Sequence, residues 1–349
     1  MNSRLSSLLS LIFPITSLLF LNSGSHSASE ALLWTTPFWL VLAADWLSPS
    51  MKHLSVNNSP EGFFNGLLYG LAFLQFINLA MMIRFIGELT WLTTQDIMTS
   101  VINLLVVRFL VGTSSCCSGI IVAHELIHRG RPLQRWLGRL LLMSVCYDHF
   151  AVAHKRGHHS HIGTPHDITT AQRDESFKAY WRRVAKEHFL YAWRCEKRRL
   201  DKKSRGFLLN TVSNKVLQGL LVELAVVGFI YAEFGLLCAV MFLYQAYSAV
   251  RMLEAVNYFQ HWGLIEEETH HAIAWVSDSW FSNLLLLGLP CHICHHQNAT
   301  VQFQDLVYYE QGPKMPYGYF VTNLWVRLSN TSFRQNAALQ LESYTRRGD

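Results

Sequence analysis

Six apolar runs set the terms on which this chain can fold: Leu5 to Leu21, Ala31 to Leu47, Phe63 to Phe85, Ile97 to Ile121, Phe207 to Tyr231 and Phe234 to Val250. Each approaches the roughly 20 residues that a helix needs to cross a bilayer. The sequence therefore predicts an all-α integral membrane protein with about six transmembrane helices, the first kinked at Pro14. Composition agrees, because only 15% of the residues are charged and 50% are hydrophobic, where soluble domains carry about 25% charged residues. Arg4, the first apolar run and Ser-His-Ser-Ala at 25–28 also match a cleavable signal peptide. A hairpin with the second run favours a retained span.

Charge sets the expected orientation. Between His124 and Arg205 lie eighteen of the 29 Lys and Arg residues, and the positive-inside rule puts such a loop in the cytoplasm. The short turns carrying Glu88, Asp96 and Glu233 hold no Lys or Arg and belong on the opposite side. The chain reads as one membrane domain over 1–349, with a cytoplasmic cap built from 124–205 and 251–349. An anionic leaflet beside the basic loop accounts for the net charge of +5, so no nucleic acid is implied. Within the cap, Phe177 to Lys203 has the composition of a helix lying in the interface. The seven cysteines show no secreted disulfide framework. Cys291 and Cys294 bracket His292 in a C-x-x-C, a weak sign of a thiol metal or redox site beside the plainer reading of packing residues.

The histidines are distributed unevenly. Only His26 and His53 precede residue 124, and nine of the other fifteen fall into four short motifs. HELIH puts His124 and His128 one helical turn apart; HKRGHH holds His154, His158 and His159. NYFQHWGL contributes His261, and HICHH contributes His292, His295 and His296. Imidazole suits Fe, Zn, Cu and Ni. Imidazoles crowded this closely beside a membrane would repel one another on protonation, so a shared metal centre is the economical explanation. Nine ligands exceed what one tetrahedral metal uses, which implies two metals. Glu125, Asp167 and Glu254 are the candidate carboxylates, acting as ligands or as acceptors that orient an imidazole. HELIH also matches the H-E-x-x-H of zinc proteases, a reading that leaves seven histidines idle.

HELIHRG, the run H-x-x-G-H-H-x-x-x-x-T-P-x-D from His154 to Asp167, NYFQHWGL, and HICHH followed by PKMPYGYF together resemble the integral-membrane alkane monooxygenases and the hydroxylase component of xylene monooxygenase. The resemblance runs in order from about residue 30 to about 325, tight in the motifs and loose between them. It implies a six-helix bundle with a cytoplasmic cap and a non-haem centre of two Fe ions. The ligands would be His124, His128, His154, His158, His159, His261, His292, His295 and His296. It further implies O2-dependent hydroxylation of a methyl group on a hydrophobic small-molecule substrate, in the inner (cytoplasmic) membrane, with the lipid bilayer as surroundings and the metal site on the cytoplasmic side. No GxGxxG or haem signature is present, so electrons are expected from a rubredoxin or a ferredoxin-type reductase drawn to the basic cap.

Two departures bear on substrate. Alkane hydroxylases usually carry Glu before the first His of the second motif and before the His of the third, where this chain has Ala153 and Gln260. An aromatic methyl-bearing hydrocarbon is therefore expected as readily as a linear alkane. The rival readings are a fatty acyl desaturase, whose histidine pattern overlaps HELIH and HICHH, and a membrane metal-binding or transport protein. A transporter would place ionisable ligands near mid-membrane, whereas these cluster at helix exits.

Overall fold

The computed structural model describes residues 3–51, 61–202, 206–264 and 272–348. Lys203 and Arg205, counted in the basic loop, lie outside them, as does His53. Within the described residues the fold is all-α, with two isolated bridges, Ser50 to Ser279 and Val276 to Lys314, as its only β pairing. Among the described residues, four helices are long and apolar enough to cross a membrane: Leu5–Asn22, Glu61–Gly87, Thr94–His128 and Lys215–His261.

The differences from six separate spans have local causes. The expected second span is two short helices, Ala28–Leu33 and Thr36–Trp46. The first opens on a Ser27–Glu30 capping box, and the break at 34–35 precedes Pro37, which has no N–H to donate back to the Leu33 carbonyl. The expected fifth and sixth spans join in Lys215–His261, interrupted at Gly235, whose φ of 85° and ψ of 176° are non-helical. Only glycine reaches that conformation without steric cost. The fifth begins at Lys215 rather than Phe207 because the Asn214 side chain caps it, accepting from the Val216 and Leu217 amides. The backbone distortion expected at Pro14 takes the form of a 3-10 turn over Leu8–Leu11.

The chain divides into two compact units. One comprises Met1–Ala43, Asn58–Tyr147 and Leu220–Val250. Its apolar core gathers Phe20, Met82, Phe85, Val107, Leu110 and Phe242. A buried polar seam also runs through it. Gln75 Nε2 donates to Ser115 Oγ (3.1 Å) and Ser144 Oγ (3.2 Å), and its Oε1 accepts from Ser118 Oγ (3.2 Å). Ser115 and Ser118 lie in a π-helical turn, Ser115–Ile120, directly before the HELIH helix Ile121–His128, and Ser144 caps the helix Pro132–Met143. Gly119 permits the approach, since a Cβ there would stand 3.2 Å from the Gln75 amide carbon.

The other unit comprises Ala44–Asn57, Asp148–Gly219 and Arg251–Asp349. Its longest uninterrupted helix, Phe177–Asp201, buries Tyr180, Val184, His188, Ala192, Glu196 and Leu200 along one ridge, and Tyr180 and Phe177 pack on Tyr258 with ring centroids 5.3 and 5.6 Å away. Asp45 ties distant segments together. Its buried carboxylate accepts from Ser279 Oγ (2.8 Å), Ser282 Oγ (2.5 Å) and the amides of Phe320 (2.9 Å) and Val321 (3.1 Å) at the start of the helix Tyr319–Leu328. Asp45→Ala would leave four buried donors without this acceptor. The variant should lose about 3 kcal/mol of stability, read as a lowered denaturant midpoint in detergent micelles. An unchanged midpoint would contradict this role.

Candidate metal centre

The second histidine motif sits on a π-helical turn, His154–His158, followed by a short helix, His159–His161. The wider turn alters the angular spacing of its side chains, and π-bulges recur at functional sites. Here it directs His154 and His158 to different neighbours. His261 ends the helix Lys215–His261, while His292, His295 and His296 occupy the helix His292–Gln297.

These segments build a cluster of four imidazoles, His158, His261, His292 and His296, with one ring nitrogen from each within 4.8 Å of all the others. His158 Nε2 faces His296 Nε2 at 3.1 Å, and His292 Nε2 faces both His296 Nε2 and His261 Nε2 at 3.0 Å. The opposite ring nitrogens fix the tautomers. His158 Nδ1 lies 2.9 Å from Asp167 Oδ2, and His261 Nδ1 lies 3.0 Å from the Ile273 carbonyl oxygen. A carboxylate and a carbonyl only accept, so each Nδ1 carries the proton and each Nε2 turns a lone pair inward. These two lone pairs face His296 Nε2 at 3.1 Å and His292 Nε2 at 3.0 Å, a convergence of ring nitrogens that a shared cation would satisfy. This donor set fits a metal ion of the imidazole-binding kind.

A second group in the same unit brings together His154, His159 and His295. His159 Nε2 lies 2.9 Å from His154 Nε2 and 3.2 Å from His295 Nε2. Phe150 stacks on His154 with centroids 4.9 Å apart. In the other unit, His124 and His128 share one face of their helix with ring centroids 5.3 Å apart.

Electrostatics favours the neutral form of His296. Burial first, then His292, His158, His159 and His261, hold the pKa of His296 well below its ordinary value. Burial alone would raise the Asp167 carboxyl, but the neighbouring His158 ring and its hydrogen bond, the nearby His261 ring and the Thr169 amide outweigh it and hold Asp167 well below the carboxylate range. Asp167 is thus an anion, held by the Thr169 amide (2.9 Å) and Thr170 Oγ1 (2.8 Å).

Among the described residues, the other candidate carboxylates belong to neither group of imidazoles. Glu125 pairs with Arg129 at 2.6 Å. Glu254 accepts from Tyr180 Oη and Asn257 Nδ2, both at 3.2 Å. The thiols of Cys291 and Cys294 are buried, and Cys291 Sγ meets Asn283 Oδ1 at 3.3 Å. Neither thiol belongs to the imidazole clusters. Sequence reasoning missed Thr169, Thr170 and His188, whose Nε2 lies 3.2 Å from Thr169 Oγ1. The Asp-x-Thr spacing after T-P was a usable signal, since Asp side chains commonly accept from the amide two residues on.

The sequence matches the model of the fatty acid desaturase family over residues 99–321. The chain belongs to that family. Within it, the chain is 41% identical over 218 residues to alkane 1-monooxygenase 1 of Pseudomonas aeruginosa, covering 60% of this chain and 56% of that protein. It is 32% identical over 239 residues to alkane 1-monooxygenase 2 of Alcanivorax borkumensis, covering 63% and 61%. To the xylene/toluene monooxygenase hydroxylase component of Pseudomonas putida it is 28% identical over 200 residues, covering 56% and 53%. The chain thus spans between half and about three fifths of the length of the relatives it matches.

Proposed function

We propose that this chain is the hydroxylase of a membrane-bound non-haem di-iron monooxygenase, converting R–CH3, O2, two electrons and two protons into R–CH2OH and water. The observation that carries the reading is the convergence of ring nitrogens from His158, His261, His292 and His296, with the Nε2 lone pairs of His158 and His261 turned inward, beside the second group His154, His159 and His295. The nine histidines of the four motifs, His124 and His128 included, are the proposed iron ligands. Bound iron would supply the electron-transfer and O2 chemistry that no side chain can, which attack on an unactivated C–H bond requires. The chain's own part is to hold and shield. Asp167 fixes the ring plane of His158 and offsets part of the metal charge, and the Ile273 carbonyl does the same for His261 without adding charge.

A terminal methyl of an alkane is the substrate best supported, because the relatives at 32% and 41% identity are alkane 1-monooxygenases. A benzylic methyl is the second reading, favoured by Gln260. This amide precedes His261 where alkane hydroxylases usually have a carboxylate, and its Nε2 donates to Tyr319 Oη at 2.9 Å. A rubredoxin or a ferredoxin-type reductase would deliver the electrons, with the chain in the inner membrane and its metal site on the cytoplasmic side. The eighteen cations between residues 124 and 205 support that orientation.

The test is whole-cell competition between octane and a xylene in cells that also express a donor, with products resolved by gas chromatography. Primary 1-octanol as the main product is expected. Methylbenzyl alcohol as the main product would move the substrate to the second reading. Unsaturated acyl chains with neither alcohol would overturn hydroxylation in favour of a desaturase.

A further inference from the structure

The π-helical turn Ser115–Ile120 sets the direction in which the HELIH helix presents its histidines. At its end the Ile121 amide donates to the Cys116 carbonyl, five residues back instead of four. Such a turn takes up one residue more than an α-helical turn. The helix that follows is therefore rotated by about 100°, one residue's share of a turn, from where an unbroken α-helix would place it. On the helix Ile121–His128 six of the eight residues are buried, and the two that are not are His124 and His128. With the upstream helix held and the turn relaxed to α, Ala123 and Ile127 would take over that direction. The histidines would swing to the side now held by Glu125 and Arg129, both buried.

Turns of this kind are rare, and this one is braced from outside its own helix. Gln75, on the helix Glu61–Gly87, is fully buried. Its Nε2 reaches Ser115 Oγ in the turn and Ser144 Oγ, which caps the neighbouring helix Pro132–Met143. Ser118 Oγ stands 3.2 Å from Gln75 Oε1 and 2.8 Å from the Ser114 carbonyl oxygen where the turn begins. One carboxamide thus engages the turn at two points and the next helix at a third. Away from water, leaving these polar groups unpaired would be costly. Two glycines keep the fit close. A Cβ at Gly119 would meet the Gln75 carboxamide carbon at 3.2 Å, and one at Gly138 would meet Ile127 Cγ2 at 3.0 Å and the Ala123 carbonyl oxygen at 3.1 Å.

We propose that Gln75 is a positioning residue for metal binding: by holding the π-helical turn it fixes the rotation of the HELIH helix, and with it the direction of His124 and His128. Gln75 touches neither ring. It acts through Ser115 and Ser118, and the turn converts their placement into an angle at the two imidazoles. The assignment rests on the reading of His124 and His128 as iron ligands and deepens it, since it says what aims them. A carboxamide that served only to hold helices together would have no bearing on which side of the HELIH helix faces outward.

The test compares the full chain with Gln75→Met, an apolar side chain of similar reach, in detergent micelles. After chelation, diethyl pyrocarbonate labelling mapped by mass spectrometry should mark His124 and His128 in the unmodified chain and largely miss both in Gln75→Met. Helicity and the labelling of the exposed His166 should be the same in the two. On reloading, iron affinity of the variant should fall about tenfold or more. Gly119→Ala, which crowds the Gln75 carboxamide while keeping it, should give intermediate losses of labelling and affinity. Deleting Cys116 from the Gln75→Met chain takes the surplus residue out of the turn, so an unbroken α-helix again presents the histidines in their present direction. Labelling and iron affinity should then both recover. Unchanged labelling and affinity in Gln75→Met would overturn the proposal, as would losses that the deletion does not reverse, the mark of a general brace between helices. Zinc in place of iron in the unmodified chain would remove the iron reading instead, and labelling of the metal-free chain would still decide the role of Gln75.

Discussion

Replacing His261 by Ala should halve the iron content, from about two ions per chain to about one, and abolish hydroxylation. His261 is fully buried, and its ring centroid lies 4.6 Å from that of His158, 5.0 Å from His292 and 5.5 Å from His296. Its loss from this cluster of four imidazoles leaves three ring nitrogens and a hole beside them. Removing only an outer partner of a metal ligand costs about 10–100-fold, so loss of the ligand itself should exceed the top of that range. The change should spare the fold, because deleting one ring relieves the repulsion among the rest. Elemental analysis, turnover of the alkane and helicity are the three measurements. Normal iron with normal turnover would remove His261 from the required ligands, and stoichiometric zinc in the unmodified chain would remove iron itself.

The cluster that makes this effect large was visible in the sequence to an unequal degree. His261 stands alone in its motif, with no second histidine one helical turn away, and only its place at the end of a long apolar run marked it. The i, i+4 pair of HELIH and the crowding in HKRGHH and HICHH are local patterns, so they can be read directly. What holds the rings is less local. The Ile273 carbonyl that orients His261 is a backbone group, and any residue type supplies one. The π-helical turn at His154–His158 carries no compositional mark, yet it decides which neighbours His154 and His158 face. Asp45 reads in the sequence as a stray charge at the end of an apolar run. Its partners Ser279, Ser282, Phe320 and Val321 lie more than 230 positions away, and no short-range pattern encodes such a pairing. The helices show the same division. Their apolar lengths were legible, while their joins depended on single residues: Pro37 breaking one run in two, and Gly235 letting two runs meet within one helical stretch.

Asp167→Asn should lower metal affinity at the four-histidine cluster about 10–100-fold, the effect typical of an outer partner, with a matching fall in turnover. The substitution is nearly isosteric. An amide oxygen can still accept from the Thr169 amide and Thr170 Oγ1, so the loop after Pro165 should keep its shape. Two things change at His158. The full negative charge beside a cationic centre is lost, and if the amide turns its NH2 toward Nδ1, two donors face each other and the ring must reorient or shift its proton. Either change weakens the lone pair that Nε2 offers. Asp167 bonds to His158 of the four-histidine cluster, so the group of His154, His159 and His295 should keep its metal while that cluster gives it up. Chelator competition followed by iron counting separates the cases. One weakly held and one tightly held ion per chain is the expected result, whereas equal weakening of both ions would mean that Asp167 acts on the fold of the whole unit rather than through His158.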